Sequence, residues 1–248
     1  MSLPVHLAPS LADAHVGGEV RIEGDEAHHA VAVRRLAVGE RVVLTDGHGR
    51  TATGPVSATG KKVFSVTVEK VVDHPEPAPA LTVVQALPKG DRGELAVEVL
   101  TEVGVARVVP WAAARSVAVW KGERAARSHA KWAATAREAA KQARRPWHPV
   151  VDPLATTGQV ADLLREHDLV VVLHEEATSS LATVPVPASG RVAVVVGPEG
   201  GLTPEELAAF EDAGARTVLL GTEVLRTSTA GLAACAALLS RTARWGGA

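Results

Sequence analysis

Short runs of apolar residues recur along the C-terminal two thirds of this chain, and they alternate with segments of helical character. The runs are near-continuous, as in parallel strands that are covered on both faces of a sheet. Five of them stand out: LTVVQAL (81–87), RVVPW (107–111), LVVVL (169–173), VAVVV (192–196) and TVLL (217–220). This alternation of strands and helices predicts an open α/β sheet.

Two segments between these runs carry helix-capping signals. In DRGELAVEVLTEVG, Asp91 stands at the expected N-cap and Glu94 follows three residues later. In TPEELAAFEDAG the signals are Thr203 as N-cap, Pro204 at the first helical position, Glu206 to close a capping box and Gly214 as the stop. Both segments are therefore predicted to form helices.

A proline-rich stretch, DHPEPAPA, separates this region from the N-terminal part of the chain. It spans Asp73 to Ala80, holds three prolines and lacks apolar periodicity, which favours a stiff, extended linker. Short β-rich runs joined by glycine turns precede it, and TDGHG among them is typical of a hairpin connection. The sequence predicts a small β-barrel over residues 1–73, a linker over 74–80 and the α/β domain over 81–248.

Positive charge is concentrated in one part of the chain. The formal net charge is -2, yet ten Lys or Arg residues against two Glu fall between Arg107 and Arg145. Such a stretch can neutralise nucleic-acid phosphates, and it can equally be the solvated face of a helix. Charge alone leaves both interpretations open.

The composition excludes several classes of protein. No apolar run approaches the roughly 20 residues that cross a bilayer, and the N-terminus lacks the basic start and apolar run of a secretory signal. We therefore expect a cytoplasmic protein with no membrane partner. The only cysteine, Cys235, lies in the apolar run GLAACAALL and is expected to pack in the core.

Glycine and hydroxyl residues collect where the predicted strands end. Ligands of open α/β sheets bind outside the carboxyl ends of the strands. The exits here are PKGDR (88–92), LHEE (173–176), GPEGG (197–201) and LGTEVLRTST (220–229). Because glycine lets backbone groups approach a ligand closely, these segments form the predicted ligand site.

The glycine-rich exits do not match the common phosphate, metal or nucleophile patterns. GxxxxGK[ST] is absent, and VVVGPEGG differs from GxGxxG because its proline removes one amide donor. The ten histidines are scattered without metal spacing, and GPEGG offers no serine for a nucleophile elbow. The pattern favours a neutral, backbone-lined pocket that suits an adenosine-like cofactor and needs no metal.

Several motifs in one order resemble a known family. VVVGPEGGLTPEE followed by LLGTEVLRTSTA is similar to the signature of the SPOUT methyltransferases, and in particular of the ribosomal RNA small subunit methyltransferase E family. QALPKGDRGELAVEVLTEVG, AARSV and AREAAKQARR resemble three further segments of that family. HHAVAVRRLAVGERVVLTDGHG resembles its N-terminal pattern, so the resemblance covers nearly the whole chain.

The resemblance implies a fold and an activity. The fold is α/β, with an N-terminal PUA-like β-barrel and a C-terminal SPOUT domain whose last segment threads a loop into a trefoil knot. The cofactor is S-adenosylmethionine, bent in the knot, and the family's enzymes are homodimers with active sites near the subunit interface. The expected reaction is N3-methylation of a uridine in 16S ribosomal RNA, within the small subunit.

The resemblance also implies a cofactor pocket and two candidate catalytic residues. Arg226 is expected to stabilise charge that develops on the uracil oxygens, or else to bond helix carbonyls or phosphate. Glu199 is expected either to accept the N3 proton or to hold the loop, and Glu175 is a weaker carboxylate candidate. The pocket residues are Leu173, His174, Gly197, Pro198, Glu199, Gly200, Gly201, Leu220, Gly221, Leu225, Arg226, Thr227, Thr229 and Ala230.

RNA contacts are expected from both predicted domains. The candidates are Arg34, Arg35, Lys89, Arg92, Gln142, Arg144 and Arg145. His28 matches the family's barrel histidine and is as well suited to cap local backbone as to touch RNA. Val99, Ala114 and Ser228 stand where the family pattern has a lysine, an acid and a glutamate, and the first two departures argue against a universal catalytic role for those two positions.

Two other functions stay open at this point. A non-catalytic RNA-binding or ribosome-assembly protein needs only the barrel and the basic stretch, and it would have no affinity for S-adenosylmethionine. A SPOUT methyltransferase that acts on transfer RNA or at a ribose 2'-hydroxyl would keep the same pocket and dock a different RNA.

Overall fold

The computed structural model describes residues 3–246, and the chain divides into two compact units. The first unit comprises the chain up to Glu76 together with a returning segment, Lys141–His148. The second unit comprises Pro77–Ala140 and the chain from Pro149 onward. The sequence-based division has no counterpart to the returning segment, because nothing in its composition separates it from its neighbours.

The first unit is built on a six-stranded sheet with the order β1-β3-β4-β5-β2, in which β6 also pairs with β4. A short helix, α1 (Gly24–His28), continues into a single π-helical turn, His29–Val33. Buried apolar residues of this unit form one core that includes Ile22, Leu44 and Phe64. The strands are β1 (Val5–Leu7), β2 (Glu19–Glu23), β3 (Arg41–Thr45), β4 (Arg50–Gly60), β5 (Val63–Thr67) and β6 (Lys70–Asp73).

The predicted hairpin connection TDGHG joins β3 and β4, which pair antiparallel. Asp46 stabilises the turn because its Oδ1 accepts the amide hydrogen bonds of His48, at 2.7 Å, and Arg50, at 3.1 Å. Gly49 has a φ of +98°, and a Cβ there would lie 2.5 Å from the indole of Trp147. The turn therefore needs glycine both for its backbone conformation and for its contact with the returning segment.

The returning segment is also tied to the first unit by an ion pair. Lys141, whose side chain is 7% exposed, places its Nζ 2.8 Å from Oε2 of Glu26. His6 Nδ1 lies 3.2 Å from the other carboxylate oxygen of Glu26. Burial alone would raise the pKa of Glu26, but the hydrogen bonds from His6, Lys141 and the Leu7 amide, with the charge of Lys141, together lower it to about 2.

This shift predicts an acid-sensitive contribution to stability. A carboxyl whose folded pKa is depressed stabilises the protein fully above its unfolded pKa, 4.5, and loses that contribution as the pH falls toward about 2. We expect at most about 3 kcal/mol of unfolding free energy to disappear across this window. Denaturant titrations at pH 5, 4 and 3 should show a shallower pH dependence for Glu26→Gln than for the unmodified protein. The exposed Glu40→Gln serves as control, and an equal slope for both variants would contradict the assignment.

The second unit is a six-stranded, fully parallel sheet with the order β12-β10-β11-β7-β8-β9. All five strands predicted from the sequence are present, and the two-residue strand β9 was not predicted. The strands are β7 (Ala80–Ala86), β8 (Arg107–Trp111), β9 (Val150–Val151), β10 (Leu169–Leu173), β11 (Arg191–Val196) and β12 (Arg216–Val218). The helices are α2 (Arg92–Val103), α3 (Glu123–Gln142), α4 (Thr157–Leu164), α5 (Pro204–Asp212), α6 (Thr227–Leu239) and α7 (Ala243–Gly246).

Alternate residues of each central strand pack on opposite faces of this sheet, as a parallel sheet covered on both sides requires. In β11, Val194 belongs to the core that faces α2 and α6, whereas Val195 belongs to the core that faces α4 and α5. Cys235 of α6 is fully buried in the first of these cores, and burial raises the pKa of its thiol to about 12. This confirms its predicted packing role.

The two predicted helix starts behave differently. At α5, Thr203 and Glu206 form the complete capping box, with Pro204 in the first turn. At α2, Asp91 occupies the N-cap position but its side chain makes no capping hydrogen bond. Glu94 does not complete a capping box at α2 and instead pairs with Lys131 of α3 at 2.8 Å. Within residues 3–246, no helix has both the length and the apolar character needed to span a bilayer.

Candidate functional site

A cavity of about 800 Å³ lies at the carboxyl ends of β10, β11 and β12. These three strands are neighbours in the sheet, so the loops that follow them meet at one edge. The walls come from residues 173–176 after β10, 196–202 after β11 and 219–227 after β12. Arg92 and Arg115, which follow β7 and β8, and Pro204, Leu207 and Ala230 of α5 and α6 also line the cavity.

The loop after β11, which we call the glycine loop (Gly197–Gly201), leaves little room for a side chain at Gly200. A Cβ on Gly200 would lie 3.0 Å from Cβ and 3.2 Å from the carbonyl oxygen of Arg115. Gly201 has a φ of +73°, in the left-handed region that other residues rarely adopt. The glycines therefore bring backbone groups, rather than side chains, to the wall of the cavity.

The loop after β8 is bonded to the segment that follows β11 through two residues that the sequence analysis did not place in the site: Arg115 of that loop and Glu206 of α5. Arg115 donates from one guanidinium nitrogen to the carbonyls of Gly200 and Leu202, each at 3.2 Å. Glu206, only 3% exposed, accepts the amide of Ala114 at 2.7 Å while its other oxygen accepts the Thr203 amide. The resemblance of AARSV to a family motif was the one available signal for Arg115.

Glu199 holds the glycine loop from its other side. Its Oε1 accepts the backbone amide of Lys89, in the loop after β7, at 3.2 Å. Its Oε2 has no hydrogen-bond partner within residues 3–246, and the residue lines the cavity. The geometry thus supports the loop-holding alternative and leaves one carboxylate oxygen available.

The loop after β12 presents Arg226 to the cavity. Arg226 occupies the N-cap of α6, and its carbonyl oxygen accepts the amides of Thr229 and Ala230, both at 2.9 Å. These bonds tie Arg226 to the first turn of α6, while its exposed guanidinium has no hydrogen-bond or ion-pair partner in the described part of the chain. An arginine whose backbone is held in place and whose guanidinium is unpaired is suited to a ligand that carries or develops negative charge.

The cavity combines apolar walls with backbone polar groups. Leu173, Val196, Leu202 and Leu220 contribute apolar surface. The amide of His174 is already satisfied by the Val218 carbonyl at 3.0 Å. Charged side chains such as Glu199 and Arg226 also line the cavity, so it suits a ligand that has both apolar and polar parts.

The structure brings together nearly all of the predicted cofactor-binding residues. Thirteen of the fourteen line the cavity. The exception is Thr229, whose hydroxyl donates to the carbonyl of Arg226 at 3.3 Å. Glu175 also lines the cavity, and within residues 3–246 no cluster of His, Cys, Asp and Glu has the arrangement of a metal site.

The predicted RNA-binding residues fall into two groups. Lys89 and Arg92 belong to the second unit, where Arg92 lines the cavity. The other five belong to the first unit: Arg34, Arg35, Gln142, Arg144 and Arg145. Arg35 and Arg144 have φ values of +58° and +54°, a conformation that carries a backbone cost for residues other than glycine.

The structure accounts for two of the three positions that differ from the family pattern. Ala114 contributes its backbone amide to Glu206, so that contact does not depend on its side chain. Ser228 is 3% exposed in the first turn of α6 and does not line the cavity. Val99 is half-buried on α2, and nothing in the structure explains its substitution.

Comparison with known proteins connects this site to a family. Residues 74–239 match the family described as RNA methyltransferase domain, and residues 22–69 match the RNA methyltransferase PUA domain. Ribosomal RNA small subunit methyltransferase E of Mycobacterium bovis is 44% identical over 233 residues, which cover 92% of this chain and 89% of that protein. The Bacillus subtilis protein of the same name is 31% identical over 229 residues, covering 89% of this chain and 90% of its own.

Two solved structures with bound cofactor are similar over almost the full length. Ribosomal RNA small subunit methyltransferase E from Neisseria gonorrhoeae, bound to S-adenosyl methionine, is 27% identical with a TM-score of 0.85, covering 96% of this chain and 98% of its own. A Legionella pneumophila protein in complex with the cofactor SAM is 25% identical with a TM-score of 0.87, covering 98% and 99%.

Proposed function

The chain belongs to the ribosomal RNA small subunit methyltransferase E family, and on that basis we propose that it methylates N3 of a uridine in 16S ribosomal RNA. It is an S-adenosylmethionine-dependent ribosomal RNA methyltransferase. The observation that carries the proposal is the cavity at the ends of β10, β11 and β12, where thirteen of the residues expected to hold this cofactor converge.

The residues present fit S-adenosylmethionine. The cofactor's adenine and ribose need apolar slots and backbone partners, and the leucines and glycine-loop backbone supply both. A Cβ on Gly200 would press against Arg115, so glycine allows the backbone of this loop to pack closely against the loop after β8. We assign the adenosine moiety to the loops after β10, β11 and β12.

The reaction demands orientation and charge stabilisation. Bound S-adenosylmethionine supplies an electrophilic methyl group on a sulfonium. The walls of the cavity align the uracil N3 with that methyl group, which is the main demand of a displacement. As N3 loses its proton, negative charge spreads onto O2 and O4, and the guanidinium of Arg226 stabilises it. Glu199 holds the glycine loop through Oε1 and accepts the N3 proton through Oε2.

The two roles of Glu199 can be separated with Glu199→Gln. A glutamine oxygen still accepts the Lys89 amide, so cofactor affinity should stay within about threefold of the unmodified protein, whereas proton acceptance is lost. We expect the single-turnover methylation rate to fall about 10²–10⁴-fold, the usual contribution of a general base. Glu205→Gln, at an exposed residue of α5 outside the cavity lining, is the matched control. An unchanged rate would leave Glu199 with the loop-holding role alone.

RNA is held by both units in this proposal. The N-terminal unit contains the family's PUA domain, and we propose that its strands close into a barrel. Arg34, Arg35, Gln142, Arg144 and Arg145 contact the phosphate backbone from this unit, and Lys89 and Arg92 do so beside the cavity. The target base turns out of its stack to reach N3. Because these residues neutralise the charge of several phosphates, RNA binding should weaken steeply as the salt concentration rises.

We further propose that the last segment of the second unit forms a trefoil knot and that the enzyme acts as a homodimer on the small ribosomal subunit. The family membership supports both features. Sedimentation velocity of the full chain would test the dimer, since a monomer at micromolar concentration would contradict it.

The reaction is tested by incubating the protein and labelled S-adenosylmethionine with unmodified small subunits, naked 16S RNA or transfer RNA, followed by nucleoside mass spectrometry. We expect 3-methyluridine at one position of the 16S RNA. Label in transfer RNA or at a ribose 2'-hydroxyl would assign a different RNA target to the same pocket. Binding of RNA without any label would overturn the enzymatic proposal.

A further inference from the structure

A glutamine is buried at the carboxyl end of the central strand, next to the site but outside its lining. Gln85 of β7 is 1% exposed and pairs in register with Val196 of β11, the residue just before the glycine loop. Buried amides in a core of valines and leucines are costly unless they bond to something specific. The hydrogen bonds of its side chain therefore indicate its role.

The side-chain amide of Gln85 reaches across to the start of α6. Its Nε2 donates to the carbonyl of Ala86 at 3.1 Å and to the carbonyl of Thr227 at 3.3 Å. Thr227 is the first residue of α6 and follows Arg226 directly. Within residues 3–246, this is the hydrogen bond that joins a side chain of the sheet to the first turn of that helix.

The other end of the amide is not satisfied. Oε1 of Gln85 is fully buried and has no hydrogen-bond partner in the described part of the chain. A leucine or methionine of similar size would remove this unpaired acceptor and pack against the surrounding apolar core. The amide is therefore not explained by stability alone, and its donor bond to Thr227 is its distinguishing contribution.

We infer that Gln85 is a positioning residue for methyl transfer: by holding the first turn of α6 to the central strand, it fixes the backbone from which Arg226 reaches the substrate. This inference rests on the proposed role of Arg226. Arg226 has no side-chain cap of its own and its guanidinium is unpaired in the described residues, so the placement of its tip depends on the anchoring of its backbone. Gln85 does not line the cavity, so it acts through Arg226 and not on the cofactor.

The test is a double-mutant cycle between Gln85→Met and Arg226→Ala in the full-length protein. Single-turnover methylation of small-subunit RNA at saturating cofactor should fall about tenfold for Gln85→Met, with the dissociation constant for S-adenosylmethionine changed less than threefold. In the Arg226→Ala background, the same substitution should change the rate less than twofold. Gln85→Asn, whose shorter amide cannot span to Thr227, should behave like Gln85→Met and serves if the latter does not fold.

Thr82→Val is the matched control. Thr82 lies on the same strand, is 6% exposed and bonds His167 at 2.9 Å, at the end of β7 away from the cavity. It should lower stability while leaving the rate unchanged in both backgrounds. Equal rate losses for Gln85→Met with and without Arg226 would overturn the inference while leaving the proposed function intact. A fully active Arg226→Ala would overturn the assigned role of Arg226 and this inference with it.

Discussion

Replacing Gly200 with valine should abolish detectable binding of S-adenosylmethionine. The substitution adds a branched side chain where even a Cβ would lie 3.0 Å from Cβ and 3.2 Å from the carbonyl oxygen of Arg115. This carbonyl belongs to the backbone and cannot rotate away as a side chain would, so the glycine loop must shift away from Arg115. A displaced loop loses the main-chain contacts that define the cavity wall. We expect a loss of at least 100-fold in affinity, or about 3 kcal/mol, measured by isothermal titration calorimetry.

Gly158→Ala provides the matched control for this substitution. Gly158 lies in α4 with an ordinary helical backbone, and nothing lies within 4 Å of a Cβ built there. The change should raise stability by up to about 1 kcal/mol, because alanine favours helix over glycine. Cofactor affinity should not change. If Gly200→Val bound the cofactor normally, the glycine loop would be excluded from the binding site.

Replacing Arg226 with alanine should lower the rate of methyl transfer about 10²–10³-fold with little change in cofactor affinity. Removal of one preorganised donor to developing negative charge has an effect of this size in other enzymes. Since the charge exists only as N3 is deprotonated, the loss should be in the single-turnover rate and not in the binding of either ligand. Rapid-quench kinetics with saturating RNA would measure it.

Arg226→Lys and Arg216→Ala refine this prediction. Lysine keeps the charge but not the planar fork, so we expect it to recover only part of the rate. Arg216 is an exposed arginine at the amino end of β12, away from the cavity, and its loss should leave the rate unchanged. A normal rate for Arg226→Ala, or an equal loss for both alanine variants, would show that charge stabilisation comes from elsewhere.

The sheet of the second unit could be predicted because its strands are self-evident in the sequence. Near-continuous apolar runs such as LVVVL are buried on both faces and read as strands without knowledge of their neighbours. The strand β9 could not be found in this way, because two residues carry no periodicity and are ordered by pairing with Arg107 and Val108 of β8. The capping signal at α2 is misleading for a related reason, because Glu94 forms an ion pair with Lys131 of another helix instead of a local capping hydrogen bond.

The site shows the same division between local and non-local information. The glycine loop and the loop before α6 follow strands in the sequence, so the strand-end rule located them. Other contacts join residues that are far apart in the sequence. The separation is 85 positions for the bond of Arg115, 92 for that of Glu206 and 142 for that of Gln85, so no local pattern could predict them. Glu206 was predicted as a capping residue, and its second bond to Ala114 appeared only with the fold.

The returning segment Lys141–His148 delays completion of the N-terminal unit while the chain is synthesised. The N-terminal unit takes its Lys141–Glu26 ion pair and its Gly49–Trp147 contact from residues made long after Glu76. At about 5–20 residues per second, roughly 4–14 s separate the emergence of Glu76 from that of His148. During that interval the nascent unit exposes the surface that the segment later covers, and Glu26 lacks its Lys141 partner. A fragment that ends at Glu76 therefore lacks part of the N-terminal unit, and expressing that unit separately requires Lys141–His148 to be supplied in trans or through a designed linker.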